Sequence, residues 1–375
     1  MQHHAGMWQT PEIHLARTRP DHPVLYLSPR ILQSTARRFQ DGFPGLVSYA
    51  VKANHRDEVL DNLVAAGITT FDVASPAEMA AVRRACGHAV LHYNNPVRAP
   101  SEVAAGIAAG VASWSVDDRA ELAKLHAVPR SCEVAVRFAL PVTGAAYDFG
   151  DKFGATPDQA VTLLRQVVQA GYTPALCFHP GTQCEDAQAW QQYIKEAARI
   201  AGRAGVRLAR LNVGGGFAAN RTGTPPDLEA VFQVIAQSAR DSFGPQAPTL
   251  ICEPGRAMTS EGFTLAARVK GMRAGGDSVF LNDGIYGGLV DLRDMGLTGR
   301  VRVVCPDGQG RTGGIMARTI FGPTCDSLDR LPGKLGLPKD MQVGDYVLFE
   351  ALGAYSIAMS TAFNGYGLSD IVTVR

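Results

Sequence analysis

With 375 residues, 46% of them hydrophobic and 19% charged, the chain has the composition of a globular protein and enough length for two domains with their own cores. Its 36 basic and 35 acidic residues leave a formal charge of +1, which excludes a protein built around an electrostatic grip on nucleic acid. No apolar run is long enough to cross a bilayer, and the start, MQHHAGMWQT, lacks a basic segment followed by an apolar one, so no membrane partner is expected and the cytoplasm is the expected location.

The first 28 residues carry one predicted strand, at 24–27, with a His3-His4 pair in what reads as a loose end; residues 30–39 then read as a helix. From there apolar strand-like runs alternate with helical stretches. LVSYAV precedes a helix at 57–66, TTFDVA one at 77–85, AVLHY one at 101–109 and VASWSV one at 119–126. CEVAVRF precedes a helix at 157–170, PALCFH one at 187–204 and VRLARLNV one at 228–243, before a last run, TLICE. Eight strands, each but the last followed by a helix, predict a parallel sheet closed into a (β/α)8 barrel over residues 29–262, with an open doubly wound sheet as the alternative. Beyond 262 the helical periods give way to FTLAARV, VRVV, YVLFEA and IVTV, punctuated by Gly and Pro. These predict a separate all-β domain over 263–375, joined by the segment 1–28, whose strand has no place in the ring.

In such a barrel the chemistry sits where the strands end. Lys52 closes the first apolar run. A strand-end lysine ordinarily snorkels into solvent; partial burial would instead push its pKa down toward a nucleophilic amine. Asp72, His92 with Asn94, Arg137, His179, Gly214-Gly215-Gly216 and Glu253 close or follow the other runs. NVGGGF and EPGR lie after strands seven and eight, where barrels often build a phosphate site from backbone N–H groups, though either is also compatible with a simple tight turn. A lysine amine, a phosphate cradle and an acid at one rim point to pyridoxal 5′-phosphate, with Glu253 keeping the pyridine nitrogen protonated and His179 against the ring. The seven cysteines are scattered, with no CxxC pair, and the nine histidines form no HExxH cluster, so reduced thiols and no metal site are expected.

The ordered motifs YAVKAN, FDVASPAE, HPGTQ, NVGGGF, CEPGR, NDGIYG, GPTCDSLD and GAYSIAMSTAFNGY resemble those of the fold-type III PLP-dependent decarboxylases, the group IV amino-acid decarboxylases that include ornithine and lysine decarboxylase. The resemblance spans more than three hundred residues. It implies an alanine racemase-like fold, a TIM barrel followed by a β-sandwich or β-barrel domain, and a homodimer with shared active sites. It makes Lys52 the Schiff-base lysine and Glu253 the partner of the pyridine nitrogen. His179 would stack on the ring, and Thr182, Gly215, Gly216, Gly255, Arg256 and Tyr355 would surround the phosphate. Asp72, Glu78 and Arg137 would buttress the pocket. From the partner subunit, Cys325 would protonate the carbanion carbon and Asp326 would hold the substrate's distal ammonium, with Tyr286 beside it.

The implied reaction is decarboxylation of ornithine or lysine to putrescine or cadaverine, within polyamine biosynthesis. The family's diaminopimelate branch usually has Cys-Glu-Ser where this chain has Cys325-Asp326-Ser327, which favours a distal ammonium over a distal carboxylate. One departure stands out: YGGLVDLRDMG lacks the Tyr-Asp pair whose acid grips the distal amine in ornithine decarboxylases, so Asp294 or Asp291 is left for that role, Arg293 adds a cation, and a solvated loop is the simpler reading. A modified diamino acid or diaminopimelate is thus an alternative substrate. An amino-acid racemase, which sets an arginine against the pyridine nitrogen, and an inactive regulatory homologue are the alternative classes.

Overall fold

The computed structural model describes residues 6–141 and 152–375; His3 and His4 lie outside them. In chain order the elements are α1 (Pro11–Thr18), β1 (Val24–Leu27), α2 (Pro29–Gly42), β2 (Leu46–Ala50), α3 (Asp57–Ala65), β3 (Thr70–Val73), α4 (Pro76–Ala85) and β4 (Val90–Tyr93). There follow α5 (Pro100–Ala108), β5 (Ser113–Val116), α6 (Arg119–Lys124), β6 (Glu133–Arg137), α7 (Pro157–Gln169), β7 (Thr173–Cys177), α8 (Ala187–Ala204), β8 (Arg210–Asn212), α9 (Leu228–Phe243) and β9 (Thr249–Cys252). After α10 (Arg256–Thr259) come β10 (Phe263–Met272), β11 (Ser278–Leu281), α11 (Val290–Met295), β12 (Val301–Val304), β13 (Ile315–Phe321), β14 (Leu335–Pro338), β15 (Tyr346–Glu350) and β16 (Asp370–Thr373).

Contacts divide the chain into two units. One takes Thr35–Ala218 and Pro226–Met258; the other takes the described residues up to Ser34, then Ala219–Pro225 and Thr259–Arg375. These limits fall at 34/35 and 258/259, against 28/29 and 262/263 read from the sequence, and the short excursion 219–225 belongs with the second unit.

In the first unit β2 to β9 form a closed parallel barrel, and pairing of Leu46 with Ile251 and Val47 with Cys252 completes the ring. Closure removes the open-sheet alternative. Helix starts are written locally: the Ser75 hydroxyl accepts from Glu78 N–H ahead of Pro76, and Thr156 and Gln159 cap each other's backbone ahead of Pro157. α8 buries Trp190, Tyr193, Ile194, Ala197, Ile200 and Ala201, a stripe at helical spacing, and stops at Gly205, where φ is 68°. Each such large apolar side chain contributes roughly 1.5–3 kcal/mol on burial.

The second unit is an eight-stranded sheet in the order β12-β15-β10-β11-β13-β14, with β1 beside both β10 and β16. β10 changes partners along its length: its first half lies between β1 and β15, and after a register shift between Val269 and Gly271 it continues with β11. The sequence reading found β10, β12, β15 and β16 but not β11, β13 or β14. It also missed α1, although Thr10 caps that helix and Pro11 opens it, and α11, where it expected a loop. Among the described residues no helix is long and apolar enough to cross a membrane.

Candidate active site

The strand ends of the barrel surround a cavity of about 200 Å³. Lys52, Asp72, Arg137, His179 and Glu253, all selected from the sequence, line it together with Asn94. Asn212, Lys152 and Phe153 line it too and were not selected. Asn212 had a visible signal, since it is the last residue of a barrel strand, directly before the glycine run. His92 is a correction: it does not line the cavity but lies buried in the barrel, its Nδ1 2.7 Å from the Ser113 hydroxyl, and burial with Arg210 nearby depresses its pKa to about 3.

β2 ends one residue earlier than the apolar run suggests. Val51–Ala53 tightens into a single 3-10 turn, closed by the Asn54 N–H on Val51 O. The side chain of Lys52 is exposed rather than partly buried, because the turn carries it out of the strand and over the cavity. The turn is held from two sides: Tyr49 Oη donates to Asn54 O at 2.8 Å, and Ala50 N–H to Pro254 O at 3.2 Å.

Glu253 is 9% exposed and its N–H donates to Gly214 O at 2.9 Å. Its Oε1 accepts from both Asn94 Nδ2 and Asn212 Nδ2. Burial raises its pKa, opposed chiefly by the Asn212 amide and then by Lys52 and Arg137. Asp72, also buried, is pushed well above the usual carboxylate range by desolvation and then by Glu253, with Lys52 acting the other way. Glu78 accepts from Ala74 N–H at 2.7 Å and is raised by burial. His179 Nδ1 accepts from Gly181 N–H at 3.1 Å, which leaves Nε2 as the protonated nitrogen; desolvation, with Lys52 and Arg137 nearby, holds the ring neutral well below its ordinary pKa.

The loops after β7 and β8 pack tightly on one another and on Glu253. A Cβ at Gly214, where φ is 70°, would lie 2.2 Å from Phe178 O; at Gly215 it would lie 2.6 Å from Glu253 O; at Gly216, where φ is 85°, it would lie 2.3 Å from Gly181 O. Close backbone approach therefore demands all three glycines. Gly215 is buried, and neither its N–H nor that of Gly216 meets an acceptor among the described residues, which is the arrangement an anion completes. Thr182 and Arg256 are buried in the same unit, Arg256 opening α10, and Gly255 sits against Ala50 and Ala53 of the lysine turn. An amine, a carboxylate held by amides, a neutral imidazole and two unpartnered N–H groups fit the aldehyde, ring nitrogen, ring face and phosphate of pyridoxal phosphate.

The remaining selected residues belong to the sheet unit. Cys325 is exposed, its N–H donating to Asn364 Oδ1 at 3.1 Å. Next to it, Asp326 accepts from Tyr286 Oη at 2.5 Å and from Leu328 N–H at 2.9 Å, and these donors hold its carboxyl below the ordinary range. Asp329 ties this loop down: Oδ1 accepts from Ile285 N–H, and Oδ2 from the N–H and hydroxyl of Thr324. Facing it, Asp283 accepts from Gly288 N–H and is pushed up to about 7, first by burial. Tyr355 adopts φ 59°, a left-handed conformation that strains a residue with a Cβ.

The YGGLVDLRDMG segment is a solvated loop only in part: Arg293 and Asp294 are exposed, while residues 287–292 are buried. It forms α11 with Val290, Asp291 and Leu292 buried, because Asp291 pairs with Arg221 at 3.0 Å inside the unit. Both oxygens of Asp294 are held by Arg293, at 2.7 and 3.0 Å. Asp294, selected as a substrate ligand, is thus committed to its neighbour, and Asp291 to the interior.

Residues 30–260 match the family model described as pyridoxal-dependent decarboxylase, pyridoxal binding domain. A chloroplastic ornithine decarboxylase of Nicotiana glutinosa is 33% identical over 345 residues, spanning 87% of this chain and 77% of its own. A lysine/ornithine decarboxylase of Selenomonas ruminantium is 30% identical over 334 residues, covering 87% and 82%. Among solved structures, lysine decarboxylase from Selenomonas ruminantium superposes with a TM-score of 0.83 at 29% identity, over 96% of this chain and 94% of that one.

Proposed function

Since the chain belongs to the pyridoxal-dependent decarboxylases, we propose that it decarboxylates a basic amino acid, ornithine or lysine, to the diamine and carbon dioxide. The observation that carries this reading is the convergence of Lys52, His179, Arg137 and Glu253 on one cavity.

When bound, pyridoxal phosphate supplies an aldehyde for amines and a ring that takes up the electron pair left when the carboxylate departs. The residues set the conditions for this. Lys52 lies exposed at the cavity, where its amine would anchor the aldehyde. Glu253 would hold a proton at the ring nitrogen. Neutral His179 would cover a ring face without adding a cation that would oppose protonation of that nitrogen. Gly215 and Gly216 N–H groups, with Arg256, Gly255 and Thr182, would hold the phosphate. Arg137, Asp72 and Glu78 balance the charge around Lys52.

Cys325 and Asp326 act, in this reading, in the cavity of a second copy, so the working form is a homodimer with shared sites. Cys325 Sγ delivers a proton to Cα once carbon dioxide has left, and a thiol suits this because it carries no charge beforehand. Asp326 receives the distal ammonium, held ionised by Tyr286 and Leu328. With Asp291 buried against Arg221, Asp326 is the acid this reading assigns to that ammonium. A cytoplasmic enzyme of polyamine synthesis is the setting this chemistry suits. The test is carbon dioxide release from L- and D-ornithine, lysine, arginine and diaminopimelate. Release from ornithine or lysine with the matching diamine is expected; silence on the whole panel, with racemisation of alanine, overturns the reading.

A further inference from the structure

The cavity holds two buried carboxylates, Asp72 at the end of β3 and Glu253 just after β9, and two amides, Asn94 and Asn212. Two like charges in a poorly solvated space disfavour each other, so such a pair shares a proton, and its surroundings decide which member keeps the charge. We infer that Asn94 and Asn212 are positioning residues: by both donating to Oε1 of Glu253 they place the negative charge of the pair on Glu253 and leave its Oε2 for the cofactor's ring nitrogen. This rests on the reading of Glu253 proposed above.

The orientation of an amide is ordinarily ambiguous, since its oxygen and nitrogen look alike. Here the backbone settles it for Asn212. Its Oδ1 accepts from Gly214 N–H at 2.9 Å, so Nδ2 must face Glu253. A neutral carboxyl needs an acceptor for its O–H; an ionised one needs donors. With the Asn212 carbonyl occupied by the backbone, that amide offers Glu253 donors alone. Asn94 adds a second N–H to the same oxygen, and its amide also lowers the pKa of Asp72, so it acts on both acids. Glu253 thereby collects two amide donors on one oxygen, and hydrogen bonds to an ionised acceptor are roughly twice as strong as neutral ones. Among the described residues Oε2 has no protein donor.

The arrangement is also closed on itself. Glu253 N–H donates to Gly214 O, Gly214 N–H to Asn212 Oδ1, and Asn212 Nδ2–H to Glu253 Oε1. The carboxylate is therefore oriented by the same glycine loop that offers its free N–H groups to an anion. The other titratable groups facing Glu253 are Lys52, Arg137, Asp72, Cys177 and Cys252. Burial raises both acids of the pair, which favours one shared proton over two charges.

Two experiments test this. In the first, infrared difference spectra of the apoprotein at neutral pH are compared between wild type, Asp72→Asn and Glu253→Gln. A protonated-carboxyl band that vanishes in Asp72→Asn and persists in Glu253→Gln is expected; the reverse pattern overturns the inference without any asparagine variant having to fold. In the second, Asn94→Ala and Asn212→Ala, with Asn94→Ser restoring one donor, are examined for cofactor affinity by fluorescence titration and for the pH dependence of the bound cofactor's visible absorbance. Each alanine variant is expected to weaken cofactor binding about tenfold and to move the absorbance titration to lower pH, with kcat falling more than KM changes and Asn94→Ser recovering part of the loss. Wild-type titrations in both alanine variants, alongside a shifted one in Glu253→Gln, overturn the inference. An unshifted titration in Glu253→Gln itself overturns the underlying reading of Glu253.

Discussion

The barrel cavity and the Gly322–Asp329 loop of the sheet unit both rely on carboxylates, yet they treat them in opposite ways. In the cavity, burial drives Glu253 and Asp72 toward the neutral form, and amides and cations are spent on holding one charge there. In the loop, Asp326 lies near solvent and the Tyr286 hydroxyl pushes it toward the charged form. The difference separates two tasks. An acid that must hold a proton at a partner atom works best where its charge is costly, because small changes nearby then move it far. An acid that must attract a cation works best where its charge is secure.

The largest expected effect breaks the cavity side alone. Lys52→Ala should lose the visible absorbance of bound cofactor and reduce turnover by roughly 10³-fold or more, since the covalent anchor and the exchangeable amine vanish together; normal turnover in that variant would remove Lys52 from the reaction. On the loop side, Asp326→Asn should keep the cofactor spectrum but lower kcat/KM for a diamino acid by roughly 10- to 100-fold, chiefly through KM. Cys325→Ala should also retain cofactor while losing clean amine formation, read by product chromatography. If the two regions meet across a dimer, mixing Lys52→Ala with Cys325→Ala should restore clean amine formation at about a quarter of the wild-type sites, because random re-pairing gives half mixed dimers with one intact site each. No recovery after verified subunit exchange would place both residues in one chain's site.

A smaller effect sharpens the comparison within the sheet unit. Asp283, pushed up to about 7 by burial, keeps its proton when folded between pH 4 and 7, while the unfolded chain has released it. Stability from this group is therefore complete below pH 4 and falls as pH rises toward 7, by about 1.4 kcal/mol per pH unit at most. Urea midpoints at pH 5 and 7.5 should differ less in Asp283→Asn than in wild type.

Much of the barrel was legible because its signals are local: apolar runs of five to eight residues, and Ser75-Pro76 or Thr156-Pro157 at the helix starts. Lys52, Glu253 and His179 were legible because they sit where such runs stop. What escaped depends on partners far away in the chain. Asp291 reads as a loop acid until Arg221 is known to neutralise it. β11, β13 and β14 are short strands whose burial pattern is set by neighbours rather than by their own alternation. Asn94 was legible as a strand-end residue and Asn212 could have been, but their shared role appears only when both converge on one oxygen.

The pairing of β1 has a consequence for how the protein is made. Val24 meets Ala266 on one side and Asp370 on the other, so this strand waits for partners made more than two hundred residues later. By contrast, every barrel strand has been synthesised once Cys252 has emerged. Vectorial synthesis thus favours barrel closure first, with the apolar VLYL segment unpaired until β10 and then β16 follow.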